Sequence, residues 1–464
     1  MVIMKDEGNN MLSLKKNVLI GAVMLMCGIG SAGAQPLAVV QESNLCGVIN
    51  EQGNFIVPLS YDRVVPWSNG ALMVKKGDSC GVLNADGQII VPVEYLNILI
   101  PDYGNVYLVE NNEAHWGAYS TDGKLVLSIA YDEITAADMV NDCFAVRQGT
   151  VWKFINSKGL PLSNDEFDYV GEFSQEGLAV IRQKDKWGYA TAQGKIKIQP
   201  QFDSAQNFSG GLAAVKQQGK WGFIDELGVV RIAPQFSEVY SGFSEGLAAV
   251  KSDKGKGYIE KHGNLLIPRD SRYIGPFKDG VAEIHEVKKK LNLWSSLAYG
   301  ASIAFGSIGL PPKDVLKSNE KRGFINRQGK EVAPTSYDAI IPFANGMALV
   351  LKNKKWGAVN KEGKKMIPPQ YLDMRSFGSG VAAVRTESGW KLVDKTGQVV
   401  NELPEQVTDA GTLSEGLLPV CVDGKWGYIN QEGEFVVAPR FTQAGSFVNS
   451  TEKVAERTAL VMHK

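Results

Sequence analysis

The chain is poor in residues that carry chemistry. It has four histidines among 464 residues: His115, His262, His285 and His463. None stands in an H-E-x-x-H pattern, and no G-x-S-x-G, Walker or dinucleotide fingerprint is present, so the common hydrolase and nucleotide-binding motifs are excluded. The five cysteines form no CxxC pair, which leaves a zinc or dithiol redox site unsupported. Charge of one sign is also lacking. After residue 34 there are 46 basic and 48 acidic side chains, a balance that speaks against nucleic acid, which needs a basic face, and against broad attraction to an anionic membrane. No cofactor is expected.

Long apolar runs are scarce too, and the two that exist stand out. Lys15 and Lys16 precede the uncharged run Val18 to Ile29, and Ala32-Gly33-Ala34 follows. This is the plan of a secretory signal with a mature start at Gln35, and twelve residues are too few for a comfortable membrane span. An uncleaved anchor and a lipoprotein through Cys27 are the weaker alternatives, and Met11 can serve as the start. The expected location is the periplasm, the cell surface or the medium. In such an oxidising compartment disulfides can persist, and Cys46 with Cys80, at the Trp position of adjacent copies, are either a candidate bridge or, the preferred reading, two small buried side chains in place of Trp.

What the chain has in abundance is repetition. Cys46-Gly47, Cys80-Gly81, Trp116-Gly117, Trp152-Lys153, Trp187-Gly188, Trp221-Gly222, Lys256-Gly257, Arg322-Gly323, Trp356-Gly357, Trp390-Lys391 and Trp426-Gly427 anchor eleven copies. The steps are 34 to 36 residues, apart from one of 66. Four residues past each anchor comes a turn closed by glycine, as in Asp225 to Gly228, between flanks rich in Val, Ile, Phe and Tyr. Asn or Asp can bond the backbone ahead of it and Gly can take a positive φ, so this is a hairpin. A proline then follows, expected to end the strand, and an aromatic-Asp pair: Tyr61-Asp62, Tyr131-Asp132, Phe167-Asp168, Phe202-Asp203, Tyr337-Asp338. A segment of the form Phe-Ser-x-Gly-Leu-Ala-x-Val leads back to the next anchor. Each copy therefore reads as a three-stranded antiparallel meander plus a linking loop.

The residues Lys220-Trp221-Gly222-Phe223-Ile224-Asp225, Gly228, Pro234 and Phe243 to Val250 carry a resemblance to the WG-repeat family, also called KWG repeats, over about residues 44 to 450. The resemblance implies a non-catalytic module of bacterial, often secreted or surface, proteins. It says far more about fold than about function.

A lone hairpin is marginal in water, so each unit must bury its apolar face on the next. Trp116, Trp152, Trp187, Trp221, Trp356, Trp390 and Trp426 are accordingly expected in the core, with ligand stacking as the lesser role. The aromatic-Asp carboxylates are expected to accept backbone N–H bonds in turns. Calcium binding is the alternative, although the dense ligand spacing of a calcium loop is missing. The expected fold is all-β: eleven repeats over residues 35–450 in an elongated or superhelical array, with degenerate ends acting as caps, and a polar tail at 451–464. One or two closed β-propellers is the alternative, disfavoured because eleven exceeds the usual blade number.

The 66-residue step holds one long insertion, at about residues 287–318. Its centre, Leu291 to Leu310, is uncharged, and Pro311-Pro312 closes it. Insertions in repeat proteins project from one face and often bind. It can cover the scaffold, touch a membrane surface, or present Trp294, Tyr299 and Phe305 to a partner. The function expected is non-catalytic binding or scaffolding at the cell envelope, recognising a protein or cell-wall glycan. A purely structural envelope role is the alternative, and a secreted hydrolase comes third.

Overall fold

The computed structural model describes residues 35–67, 70–100, 106–269, 271–287 and 320–449. The leader, the insertion with Trp294, Tyr299 and Phe305, and the tail lie outside the described residues. The chain divides into Met1–Gly33 and Ala34–Lys464, and everything below concerns the second unit.

Each repeat folds on local signals. In the turn after the sixth anchor, Asp225 Oδ1 accepts the N–H groups of Leu227 (3.0 Å) and Val229 (2.9 Å), while Gly228 takes φ 79°. The chain reverses there, and Phe223 comes opposite Ile232. The turn returning to the anchor is the tightest hairpin, with Gln217 opposite Lys220.

The glycine of the Trp-Gly pair has a packing cause. The strand after the hairpin carries extra residues between the pairs Phe223–Ile232 and Trp221–Phe236, so it bulges over the anchor. A Cβ on Gly222 would lie 2.5 Å from the Ile232 carbonyl oxygen, and one on Gly188, Gly357 or Gly427 would lie 2.4 Å from the equivalent atom. The anchors with Lys instead are in the blade that lacks this outer strand, Lys153, and in one whose outer strand is only Val399–Glu402, Lys391. The same register explains why the two sequence motifs travel together. Trp187 stands opposite Phe202, Trp221 opposite Phe236, Trp356 opposite Tyr371 and Trp426 opposite Phe441.

The repeats make sheets of four strands, not three. The residues expected to be linking loop contain a further strand, which in blade 6 is only Ser204–Ala205. It is followed by Ala213–Gln217, Lys220–Ile224 and Val230–Phe236. The proline also differs from expectation. Pro200 and Pro234 lie inside their strands, Ile196–Phe202 and Val230–Phe236, and do not end them. These are the outer edge strands, where a missing N–H donor leaves no ladder bond unmade and blunts an edge open to aggregation.

Among the described residues there are eleven sheets, ten of four strands and one of three, and no helix. The array is closed, which corrects the elongated arrangement. Eleven apolar clusters each join one sheet to the next in chain order, and the last joins the eleventh sheet to the first. At that seam Ala38, Val40 and Ile49 pack with Trp426, Tyr428, Phe441 and Phe447. Blade 1 is itself shared. Its strands Leu37–Glu42, Leu45–Asn50 and Phe55–Tyr61 come from one end of the repeat region and Gln443–Ala444 from the other. An open stack would leave both terminal faces wet, and closure removes that cost at about 25 cal/mol per Å² of apolar surface. The fold is an eleven-bladed β-propeller. The end repeats are therefore partners, not caps.

Two further expectations meet the structure here. Trp152, Trp356, Trp390 and Trp426 are buried, whereas Trp116, Trp187 and Trp221 are half-buried. Cys46 and Cys80 are free thiols and form no disulfide. They sit in two different inter-blade cores, and their Sγ atoms lie 3.5 and 3.6 Å from the carbonyl oxygens of Asp62 and Leu96.

Candidate partner-binding site on the eighth blade

The repeat fixes a background against which departures can be read. At the end of the ring that carries the tight hairpins, the Asp leading into blades 2, 4, 6 and 9 holds that blade's turn. Asp62 Oδ2 accepts from Gly77 N (2.6 Å), Asp132 from Gly149 N (2.6 Å), Asp203 from Gln218 N (2.9 Å) and Asp338 from Asn353 N (2.8 Å). These carboxylates do the turn-capping expected of them, with Asp168 the exception. Lysines preceding the anchors cross to the next blade: Lys186 to Asp203, Lys321 to Asp338, and Lys425 to Glu42 over the seam. Such exposed pairs contribute about 0–1 kcal/mol each and serve mainly to fix register.

Blade 8 departs from this background. It consists of Tyr273–Lys278, Val281–Val287, Glu320–Asn326 and Glu331–Ala333. Its second strand carries Glu283 opposite Phe324. The residue at that register position is apolar in all ten other blades, Val180, Ala214, Ala249 and Leu349 among them. Its third strand has Arg322 where most blades have Trp. Tyr273, His285 and Arg322 stand directly opposite one another across three strands, and Glu283 is on the same sheet face one step further along.

These groups interact. His285 Nε2 is 2.7 Å from Glu283 Oε1, and Arg322 Nη1 is 3.3 Å from the same oxygen. The Tyr273 ring lies 4.6 Å from the His285 ring, centroid to centroid. Burial, with Glu283 adding to it, pushes the Tyr273 hydroxyl above its ordinary pKa. The three charged or titratable side chains are only 14 to 28 % exposed, so their mutual contacts count for more than those of the surface pairs. Beside them Glu286 accepts from Arg269 Nη2 (3.4 Å) and from Thr335 Oγ1 (3.0 Å), and Arg269 also reaches Glu331 (2.5 Å).

This polar row lies at the foot of the insertion. Val287 pairs with Glu320, so both ends of residues 288–319 leave the sheet directly opposite each other, where nine of the ten other blades have a two-residue turn. The strands flanking it have seven residues each, against five in blades 6 and 7. Two departures from the repeat thus coincide on one blade and at one end of it. The expected partner-contact residues Trp294, Tyr299 and Phe305 lie within the insertion, outside the described residues. Glu283 and Tyr273 went unnoticed in the sequence and His285 stood only as a histidine outside any motif, although aligning the copies on their anchors exposes Glu283 as the one acid in an apolar column.

The model of the WG containing repeat matches ten times, at residues 47–80, 116–152, 154–187, 187–221, 221–256, 257–284, 323–356, 356–390, 392–426 and 426–451. The chain belongs to the WG-repeat family. No curated protein sequence matches it. Among solved structures, a eukaryotic initiation factor is similar at 10% identity, over 89% of this chain and 98% of that one, with a TM-score of 0.39. Kluyveromyces lactis Hsv2p is similar at 15% identity, over 49% and 94%, with a TM-score of 0.29. The extracellular domain of the putative hybrid two component system BT3049 from B. thetaiotaomicron follows at 11%, over 80% and 64%, with a TM-score of 0.24. The WG-repeat architecture here rests on its own sheets and seam.

Proposed function

We propose that this WG-repeat propeller is an exported, non-enzymatic binding protein of the cell envelope. It holds its partner, a protein or a cell-wall glycan, at the hairpin end of blade 8. The observation that carries the reading is the coincidence just described. One blade of eleven interrupts its tight hairpin with an apolar insertion, and the same blade carries Glu283 where the others have an apolar residue and Arg322 where most have Trp, both in contact with His285 or with each other. Natural proteins keep such buried polar groups, at a cost in stability, where they serve specificity or binding. In this reading the ten regular blades make a rigid mount. Trp294, Tyr299 and Phe305 supply apolar contact, and the row beneath orients it. The leader at residues 1–34 accounts for export, and N-terminal sequencing of the secreted chain should begin at Gln35.

The test is capture from envelope extracts by the intact chain and by a version in which an Asn-Gly turn replaces residues 288–319. That turn suits the Val287–Glu320 register. Circular dichroism checks that both fold. A captured component is identified and rebound in pure form. Binding by the intact chain and its loss from the replacement support the reading. Equal binding by both moves recognition onto the repeat surface, and saturable binding by neither favours a structural envelope role.

A further inference from the structure

A second departure from the repeat lies on the outer rim, at blade 3. This blade is built from Asn97–Leu99, Val106–Glu110, Trp116–Ser120 and Leu125–Tyr131, the last at the edge of the sheet. Seven blades have an outer strand of seven residues, and six of those strands contain proline. Pro58 and Pro92 stand at the fourth position, Pro200, Pro234 and Pro439 at the fifth, and Pro368-Pro369 at both. Leu125–Tyr131 reads LVLSIAY, with Ser128 and Ile129 at those positions and no charge anywhere.

An edge strand presents a row of backbone N–H and C=O groups, and proline, charge and bulges are what keep another strand from adding to it. Blade 3 keeps the bulge common to the repeat and lacks the other two devices. Its Val, Ile, Leu and Tyr suit a paired strand. The neighbouring blade 4 is the three-stranded one, so no second outer strand stands beside this edge on that side. Leu125 is 52% exposed just after the turn of blade 3, and Leu160 is 58% exposed at the equivalent turn of blade 4. The edge is thus unguarded and has apolar surface at one end.

We propose that Leu125–Tyr131 is a self-association edge, on which the same strand of a second copy pairs antiparallel about Ser128. A strand edge calls for an extended partner, and the charges around this one select a second copy. Antiparallel pairing of a strand with itself is isologous and closes as a two-fold dimer. Full overlap sets Ser128 opposite Ser128, Leu127 opposite Ile129 and Leu125 opposite Tyr131, so no like charges meet along the ladder. One step beyond, the same register sets Lys124 opposite Asp132 of the second copy, at both ends of the pairing. Lys124 also pairs with Asp122 at 2.7 Å and Asp132 lies 3.9 Å from Arg147, but at 79 and 41% exposure both side chains remain open to the second copy. Blades 3 and 8 are on opposite sides of the ring, so the dimer leaves the partner site free and the inference is independent of that reading.

The experiment is sedimentation equilibrium of the secreted chain at about 1–200 µM. One strand pair is small beside a standard interface of about 1,600 Å², so the expected dimer is weak, with a dissociation constant of about 1–100 µM. Ile129→Pro, which copies Pro200 and Pro234 of blades 5 and 6, should weaken it about tenfold or more and leave dichroism and melting temperature unchanged. Ser128→Cys should give a disulfide-linked dimer under mild oxidation, because the two-fold sets the new thiols opposite each other. Gln199→Cys, at the equivalent exposed place on blade 5, should stay monomeric. The chain with residues 288–319 replaced should dimerise as the intact one does. The proposal is overturned if the chain is monomeric at about 200 µM, if association survives Ile129→Pro or is lost with the insertion, or if Ser128→Cys cross-links no faster than Gln199→Cys.

Discussion

Thr442 donates both its backbone N–H, at 2.7 Å, and its hydroxyl, at 2.8 Å, to the carbonyl oxygen of Gln41, 401 positions earlier in the chain. Gly445 N to Val39 O (2.8 Å) and the reciprocal pair between Leu37 and Val448 extend the same ladder. Blade 1 is thus completed by the last strand, and eleven locally folding units become one ring.

The outer-strand bulge makes the anchor glycine sensitive to size. Gly222→Ala would place its methyl group against the Ile232 carbonyl and should destabilise by roughly 1–3 kcal/mol, as overpacking does. Lys391→Gly, at the equivalent position of blade 10, should cost no more than about 1 kcal/mol. Urea unfolding midpoints measure both. Equal losses at the two sites would remove the bulge as the reason for the glycine.

The cysteines should be silent in the native protein. Cys46, Cys80, Cys143 and Cys421 are buried, and burial pushes the Cys143 thiol up to about 12. The thiolate is the reactive form. A thiol-specific reagent at pH 8 is expected to label none of these four before denaturation and all four after it, without reductant. A shortfall after denaturation would reveal a disulfide.

Acid should weaken the ring through ion pairs between blades, as Lys186–Asp203, and within them, as Lys251–Glu238. The hydrogen bond from Lys186 holds the Asp203 carboxyl below the usual carboxylate range, and the one from Lys251 does the same for Glu238. A carboxyl whose folded pKa is lowered contributes its stability above the unfolded value, near 4, and loses it as the pH falls through the folded one. Stability should therefore be flat from pH 7 to about 5 and decline below about 4. Asp203→Asn should lower stability at pH 7 and flatten the acid decline. An unchanged slope in the variant would show that Asp203 does not contribute.

The polar row on blade 8 separates function from stability. Glu283→Val with Arg322→Trp restores the repeat pattern and removes a half-buried charged pair together, a change that is often neutral or stabilising. The double variant is expected to melt at or above the wild-type temperature and to bind the envelope partner at least about tenfold more weakly. A lower melting temperature with unchanged binding would make the row structural.

Much of this was legible in the sequence. The hairpins could be read because Asn or Asp and Gly mark them four residues past each anchor. The turn-capping carboxylates could be read because Asp62, Asp132, Asp203 and Asp338 recur after an aromatic. The inner strand could not: Ser204–Ala205 is too short to show any period, and its pairing rests on the sheet around it. Closure was hidden because it depends on contacts between residues some 400 positions apart, such as Thr442 and Gln41, and degenerate ends read equally well as caps. The sequence left a Cys46–Cys80 bridge open beside two small buried side chains, and the free thiols follow from the two residues, equivalent in sequence, belonging to different inter-blade layers. The polar row of blade 8 lay between. Glu283 was visible as a break in an apolar column once the copies were aligned, but its meeting with His285 and Arg322 needed the strand register.

The closed ring can be tested at the seam itself. Gln41 and Gln443 are directly opposite in an antiparallel pair, a separation of about 4.5–5.5 Å between Cα atoms that a disulfide can span. The variant Gln41→Cys with Gln443→Cys, oxidised in dilute solution, should form one intramolecular bridge and run faster on a non-reducing gel while keeping its native dichroism. A closed propeller predicts near-complete bridging within the monomer. No bridge, or bridges only between chains, would contradict closure and return the repeats to an open array.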